Sequence, residues 1–263
     1  MLRVLKSRLL QKHRTFKYPN GPAPHLSDRF LGRPVLSGRC PDGCRVCADS
    51  CPFQAIAIRS RDESIGNSAT MPVELDMGRC IFCGACARAC PEGNIVFSNN
   101  WRLAAARRED LVITSESPTE ANCRSDVVCR YYRHSLKLRQ VSAGGCNACE
   151  ADSNVLGTPA WDMGRFGISF VASPRHADAL LVTGPVSRNM RLALEKTFAA
   201  LPGPRVVIAC GTCAISGGPF AGHPEVESGA ESTVPIDLFI PGCPPHPLTI
   251  LDALLRLQGI KTP

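Results

Sequence analysis

From about residue 131 onward, short apolar runs alternate with stretches of helical periodicity. Ala179–Val182, Val206–Ala209 and Ile236–Ile240 show almost no in-out alternation, and helices are predicted near Arg188–Ala200 and Pro247–Gln258. Continuous apolar strands between helices imply a parallel sheet covered on both faces, so residues 131–263 read as an open α/β domain. The pattern before this point is different. Residues 30–100 carry only short β-like segments, Ala55–Ile58, Met71–Leu75 and Asn94–Phe97. The first and last of these each follow a run of four cysteines, an internal repeat that predicts an α+β unit. Arg59–Thr70 reads as a polar loop, and no structure is predicted for residues 101–130. Residues 1–29 form a basic segment and linker. In it Leu2, Val4, Leu5 and Leu9 form a partial apolar stripe at helical spacing, and Tyr18–Pro24 reads as extended and proline-rich.

The cysteine runs carry the chemistry. Cys80, Cys83, Cys86 and Cys90-Pro91 follow the C-x2-C-x2-C-x3-C-P spacing of two-cluster ferredoxins, where the fourth cysteine serves the other cluster. On that rule Cys40, Cys44, Cys47 and Cys90 bind one 4Fe–4S cluster, and Cys80, Cys83, Cys86 and Cys51 bind a second. The first run has one extra residue between Cys40 and Cys44, and Pro41-Asp42-Gly43 is a turn-forming insert able to absorb it. Zinc is the weaker alternative, because structural zinc sites pair short cysteine or histidine doublets.

In the second half, cysteines fall just beyond predicted strands. Cys146 and Cys149 follow Leu138–Ser142, Cys213 follows Val206–Ala209, and Cys243 follows Ile236–Ile240. Open α/β sheets bind ligands outside the carboxyl ends of their strands, so these four thiols predict a third 4Fe–4S cluster. Flanking glycines allow close backbone approach. Cys123, Cys129 and Cys210 are left over and read as small core residues.

Composition narrows the class. Fifteen cysteines in a chain of 263 residues, at cluster spacing and without a signal peptide, favour a reducing compartment over a disulfide scaffold. No apolar run approaches the roughly 20 residues that span a bilayer, so the chain is expected to be soluble or peripheral. The net charge of +7 is concentrated in residues 1–130, with 19 Lys and Arg against 13 Asp and Glu. Met1–Lys17 reads either as an amphipathic helix on a membrane or membrane subunit, or as a solvated basic tail. Nucleic-acid binding is not expected, since no aromatic residues interleave with the charge.

The stretches SAGGCNACEAD, RFGISFVASPRHADALLVTGPVSRNM, GTCAISGG and IPGCPPHP resemble the small subunit of energy-converting (group 4) nickel–iron hydrogenases, relatives of the complex I 20-kDa subunit. KYPNGPAP, LGRP and CIFCGACARACP resemble the ferredoxin-like subunit of formate hydrogenlyase complexes, as though two neighbouring subunits were fused. The resemblance implies a flavodoxin-like fold for the second half and a cluster on Cys146, Cys149, Cys213 and Cys243 proximal to a nickel–iron centre. That centre would belong to a separate large subunit. It also implies an electron-donor subunit or ferredoxin, membrane-arm subunits, and a peripheral position on the cytoplasmic face of the membrane. No catalytic centre is expected in this chain. Complex I relatives have adjacent cysteines where Cys146 and Cys149 stand two apart, which favours the hydrogenase form. The alternative is a complex I-like NAD(P)H or ferredoxin:quinone oxidoreductase, with quinone as partner. Glu150 reads either as a proton-handling group facing the large subunit or as a solvated or capping glutamate. Arg165, Arg175, His176 and Arg188 read either as interface charges or as ordinary surface ones.

Overall fold

A computed structural model describes residues 2–262, apart from 13, 38, 39, 42, 59–72 and 119. The polar loop expected over Arg59–Thr70, and Met71, Pro72 and Asp42, therefore lie outside the described residues. The helices are α1 (Leu2–Gln11), α2 (Val46–Asp49), α3 (Ala85–Ala89), α4 (Asp126–Tyr131), α5 (Ala148–Val155), α6 (Arg188–Ala200), α7 (Thr212–Ser216) and α8 (Pro247–Leu257). The strands are β1 (Pro34–Leu36), β2 (Ile56–Ile58), β3 (Val73–Asp76), β4 (Ile95–Phe97), β5 (Val112–Ile113), β6 (Leu136–Ser142), β7 (Ile168–Phe170), β8 (Ala179–Thr183), β9 (Val206–Cys210) and β10 (Leu238–Ile240).

The second half is built on a parallel sheet of order β10-β9-β8-β6-β7. Counted within this unit the order is 5-4-3-1-2, that of flavodoxin-like doubly wound sheets. All five residues of β8 and of β9 are buried, which is why their sequences show no alternation. Helix α8 is buried nearly all round, including Leu248, Ile250, Leu251, Leu254, Leu255 and Leu257. Each such leucine contributes on the order of 1.5–3 kcal/mol by leaving water. His246 caps this helix, its Nδ1 accepting from the Leu248 amide at 3.1 Å.

The cysteine-rich half has two small antiparallel sheets. In one, β1 pairs with β4; in the other, β3 lies between β2 and β5. Short helices α2 and α3 occupy equivalent places in the two cysteine runs, with Cys47 and Cys86 each at the second helical position.

Residues 101–130, which have no clear periodicity, join the two halves. Strand β5 extends the sheet of β3, while Ala105 exchanges backbone hydrogen bonds with Phe239 of β10 at 3.0 and 2.8 Å. The Arg108 guanidinium grips Asp76 through two hydrogen bonds of 2.8 and 2.6 Å. The linker is anchored as well. Buried Tyr18 donates to Asp252 Oδ1 of α8 at 2.5 Å, and Arg102 and Arg256 stand 3.8 and 3.6 Å from the same carboxylate. Of the two readings of the basic N-terminal segment, a helix is what forms, α1, with no buried residue and with Leu2, Leu5 and Leu9 exposed. Among the described residues, no helix is long and apolar enough to cross a membrane.

Candidate metal centres

All fifteen cysteines are free thiols, and twelve of them gather into three groups. In the first, burial raises the Cys40 thiol, and the nearby charges of Cys90 and Cys44 raise it further. Burial raises Cys47 likewise, and Cys40 and Cys90 add to it. Cys90, from the second run, thus lies beside Cys40 and Cys47 of the first. The extra residue in the first run is taken up in a turn, with the Cys44 amide donating to the Pro41 carbonyl at 3.2 Å and Gly43 at φ +74°.

The second group is the reciprocal one. Burial pushes Cys80 up to about 12, with the charges of Cys86, Cys51 and Cys83 acting the same way. Cys86 is pushed up to about 11, again chiefly by burial, and it senses Cys47 of the first group as well as Cys51 and Cys83. A cavity lined by Cys51, Cys80, Cys83 and Cys86 is otherwise walled by Phe53, Ile56, Leu75, Phe97 and smaller apolar residues. The repeat extends to hydrogen bonds. The amide four residues beyond the last cysteine of each run donates to its sulfur, Ala55 to Cys51 Sγ at 3.4 Å and Asn94 to Cys90 Sγ at 3.3 Å. The Phe82 amide donates to Cys80 Sγ at 3.3 Å.

The third group lies at the carboxyl ends of β6, β9 and β10. Burial drives Cys149 far above the ordinary thiol range, helped by Cys210, Cys213 and Cys243. Cys213 is pushed up to about 11 by burial and by the charges of Cys243 and Cys146. The backbone is shaped to the sulfurs: a Cβ at Gly211 (φ +94°) would stand 2.5 Å from Cys149 Sγ, and one at Gly218 (φ +53°) 2.9 Å from Cys213 Sγ. Cys146 and Cys243 are exposed.

These donor sets fit iron–sulfur cubes. At Cys40, Cys47, Cys80, Cys86, Cys149 and Cys213, burial and the neighbouring thiols both disfavour the thiolate. A cationic cluster replaces the thiol protons and relieves the repulsion. Amides aimed at sulfur are a means of tuning a cluster. Among the described residues, no three His, Cys, Asp or Glu side chains close on a single-ion position. The thiols of the second group instead surround a gap.

Three thiols remain. Cys210 ends β9 fully buried, hydrogen-bonded to Ser153 and close enough to Cys149 to raise it. Cys123 is buried with its thiol donating to the Ala104 carbonyl at 2.9 Å. Cys129, half-buried, lies against Gly259. Glu150 is not solvated: it is 6% exposed in the first turn of α5 and accepts from Thr183 Oγ1 at 2.6 Å. Burial works to raise this carboxyl, but hydrogen bonds from Ser142 and Thr183 outweigh it and hold it low. Arg165 is engaged internally, donating to the Tyr18 carbonyl at 2.6 Å and lying over Phe166. Arg188 pairs with Glu225 on the surface, while Arg175 and His176 are exposed.

A doubly wound sheet with thiols at its strand ends, joined to two interleaved cysteine runs, defines an iron–sulfur protein of the oxidoreductase kind. Residues 39–94 match the 4Fe-4S dicluster domain, and residues 146–257 match the family described as NADH ubiquinone oxidoreductase, 20 Kd subunit. The chain belongs to that 20 kDa subunit family. It is 38% identical over 128 residues to "Probable membrane-bound hydrogenase subunit mbhJ" of Pyrococcus furiosus, a match covering 49% of this chain and 77% of the relative. To "Formate hydrogenlyase subunit 7" of Escherichia coli it is 43% identical over 128 residues, 49% of this chain and 50% of that one. To an NADH-quinone oxidoreductase subunit of Desulfovibrio desulfuricans it is 41% identical over 116 residues, 44% of this chain and 63% of that one.

Proposed function

We propose that the chain is an electron-transfer subunit with three 4Fe–4S centres in a membrane-associated nickel–iron hydrogenase or formate hydrogenlyase-type complex. When bound, such clusters supply one-electron redox chemistry. The chain's own residues bind, space and shield them. Cys40, Cys44, Cys47 and Cys90 hold the first centre, Cys51, Cys80, Cys83 and Cys86 the second, and Cys146, Cys149, Cys213 and Cys243 the third. Apolar walls such as Phe53, Ile56 and Leu75 exclude water from the second. The observation that carries this reading is geometric: Cys51 joins Cys80, Cys83 and Cys86 around one cavity across the two runs, and the Gly211 and Gly218 backbones close on the Cys149 and Cys213 sulfurs.

Proximity of Cys47 to Cys86 supports passage between the first two centres. Exposure of Cys146 and Cys243 supports docking of a nickel-bearing large subunit over the third. A donor subunit or ferredoxin would serve the first centre, and membrane-arm subunits would hold the assembly peripherally on the cytoplasmic face. The C-x2-C spacing of Cys146 and Cys149 favours hydrogenase. The similar identity to a quinone oxidoreductase subunit keeps a complex I-like role as the second reading. Isolation of the native complex through this chain distinguishes them. Nickel in the complex and H2-dependent reduction of methyl viologen are expected; quinone-dependent turnover without nickel or H2 activity would overturn the hydrogenase reading.

A further inference from the structure

Helix α7 is only five residues long, yet two of its hydroxyls face the cysteine-rich half. Thr212, 1% exposed, sits beside Cys213 of the third centre, and its Oγ1 donates to the carbonyl of Cys80, a thiol of the second, at 2.9 Å. The same hydroxyl lies 3.1 Å from the carbonyl of Gly242, the residue before Cys243, and the Thr212 amide donates to that carbonyl at 2.9 Å. One turn on, Ser216 Oγ donates to the Gly78 carbonyl at 2.9 Å. Residues 212 and 216 are four apart and so share one helix face. Both partners lie on the loop that leads into the second cysteine run.

That loop is held rigid from the other side. Asp76 Oδ1 accepts from the Gly78 amide at 2.8 Å while its carboxylate is gripped by Arg108. A Cβ at Gly78 would meet both the Arg108 guanidinium at 2.8 Å and Ile215 Cγ2 of α7 at 2.9 Å. The space beside Gly78 is therefore filled by side chains of Arg108 and of the helix, and leaves no room for one at residue 78.

We infer that Thr212 is a positioning residue, which with Ser216 latches the second thiol group to the third and fixes their separation. One hydrogen bond joins the Cys80 peptide to the residue next to Cys213, and through Gly242 the same hydroxyl reaches the residue next to Cys243. Ser216 Oγ makes a second such bridge one turn on, standing 2.9 Å from the Gly78 carbonyl and 3.2 Å from the carbonyl of Thr212 itself. A change at this atom moves two centres relative to each other without removing a ligand from either. The inference rests on the three-centre reading, and its test keeps the two separable.

The experiment uses the full chain, purified anaerobically, as wild type, Thr212→Val, Thr212→Ser and Ser216→Ala. Valine matches threonine in shape and lacks the hydroxyl, so the Cys80 carbonyl loses this donor. Iron per chain should equal wild type in all three variants. In Thr212→Val, amide protection over residues 77–84 and 211–217 should fall about tenfold, equivalent to about 1.4 kcal/mol. The magnetic interaction between the second and third centres, read in the EPR spectrum of dithionite-reduced protein, should change in Thr212→Val and return in Thr212→Ser. Ser216→Ala should lower protection by a smaller factor. An unchanged interaction with full iron in Thr212→Val would overturn the inference, as would failure of serine to restore it. Loss of iron from Thr212→Val would also overturn it, making the residue part of the cluster cradle. Wild-type protein with iron for only two centres would sink the three-centre reading instead, and exchange at 77–84 would then still test the latch.

Discussion

Gly211→Ala tests the fit of the third centre most sharply. The Cβ of alanine would stand 2.5 Å from Cys149 Sγ, against the 3.4 Å at which ordinary contact begins. Restoring that contact by moving the thiol alone requires a withdrawal of roughly 1 Å, whereas metal–ligand distances tolerate only about 0.2 Å. The backbone adds strain, because φ at this position is +94°, which costs a non-glycine residue about 1–3 kcal/mol. Gly222→Ala provides the matched control: its φ is +80°, but nothing lies within 4 Å of the added Cβ. The assay is iron and acid-labile sulfide per chain on anaerobically purified protein. Gly211→Ala should fall from about twelve irons to about eight, by the arithmetic of three four-iron cubes, while Gly222→Ala keeps about twelve and loses only stability. Full iron in Gly211→Ala, or equal loss in both variants, would refute the reasoning that the Gly211 backbone cradles a ligand sulfur.

Other outcomes follow from the same contacts. Cys210→Ala should retain all iron and lose about 1 kcal/mol of stability from the small volume removed, checked by iron analysis and denaturant unfolding. Cluster loss there would make Cys210 a ligand in place of one of its neighbours. Tyr18→Phe removes the hydroxyl that donates to Asp252, a carboxyl that burial already raises, and should cost about 1–3 kcal/mol in a thermal unfolding scan while leaving iron unchanged. Leu254→Ala, in the fully buried core of α8, should cost about 2–5 kcal/mol by denaturant unfolding.

The α/β half was legible because burial on both faces leaves a plain signature. The apolar runs over 179–182 and 206–209 became β8 and β9, and helical spacing over 188–200 became α6 with the same bounds. Strands β1 and β7 have three residues each and no cysteine run before them, whereas the equally short β2 and β4 are marked by the runs they follow. Residues 101–130 were unreadable for another reason. What orders them is tertiary: the Ala105–Phe239 bridge, the Arg108–Asp76 pair and a two-residue strand, none of which leaves a local pattern. The thiols announced themselves by spacing, and the structure brings Cys90 to Cys40 and Cys51 to Cys80 across the two runs. Thr212 and Ser216 did not. Hydroxyls four apart around Cys213 were their only sequence signal, and it has no meaning until the Gly78–Cys80 loop is seen to lie against them. Glu150 was ambiguous in sequence for the same reason, since Thr183 lies on a different strand end.

The most direct test of the account is the metal content and reduction of the anaerobically purified chain. Protein carrying about twelve iron and twelve labile sulfide per chain, with three separately reducible centres in an EPR-monitored redox titration, is the predicted result. Protein that is colourless, holds zinc, or stops at two reducible centres would contradict it.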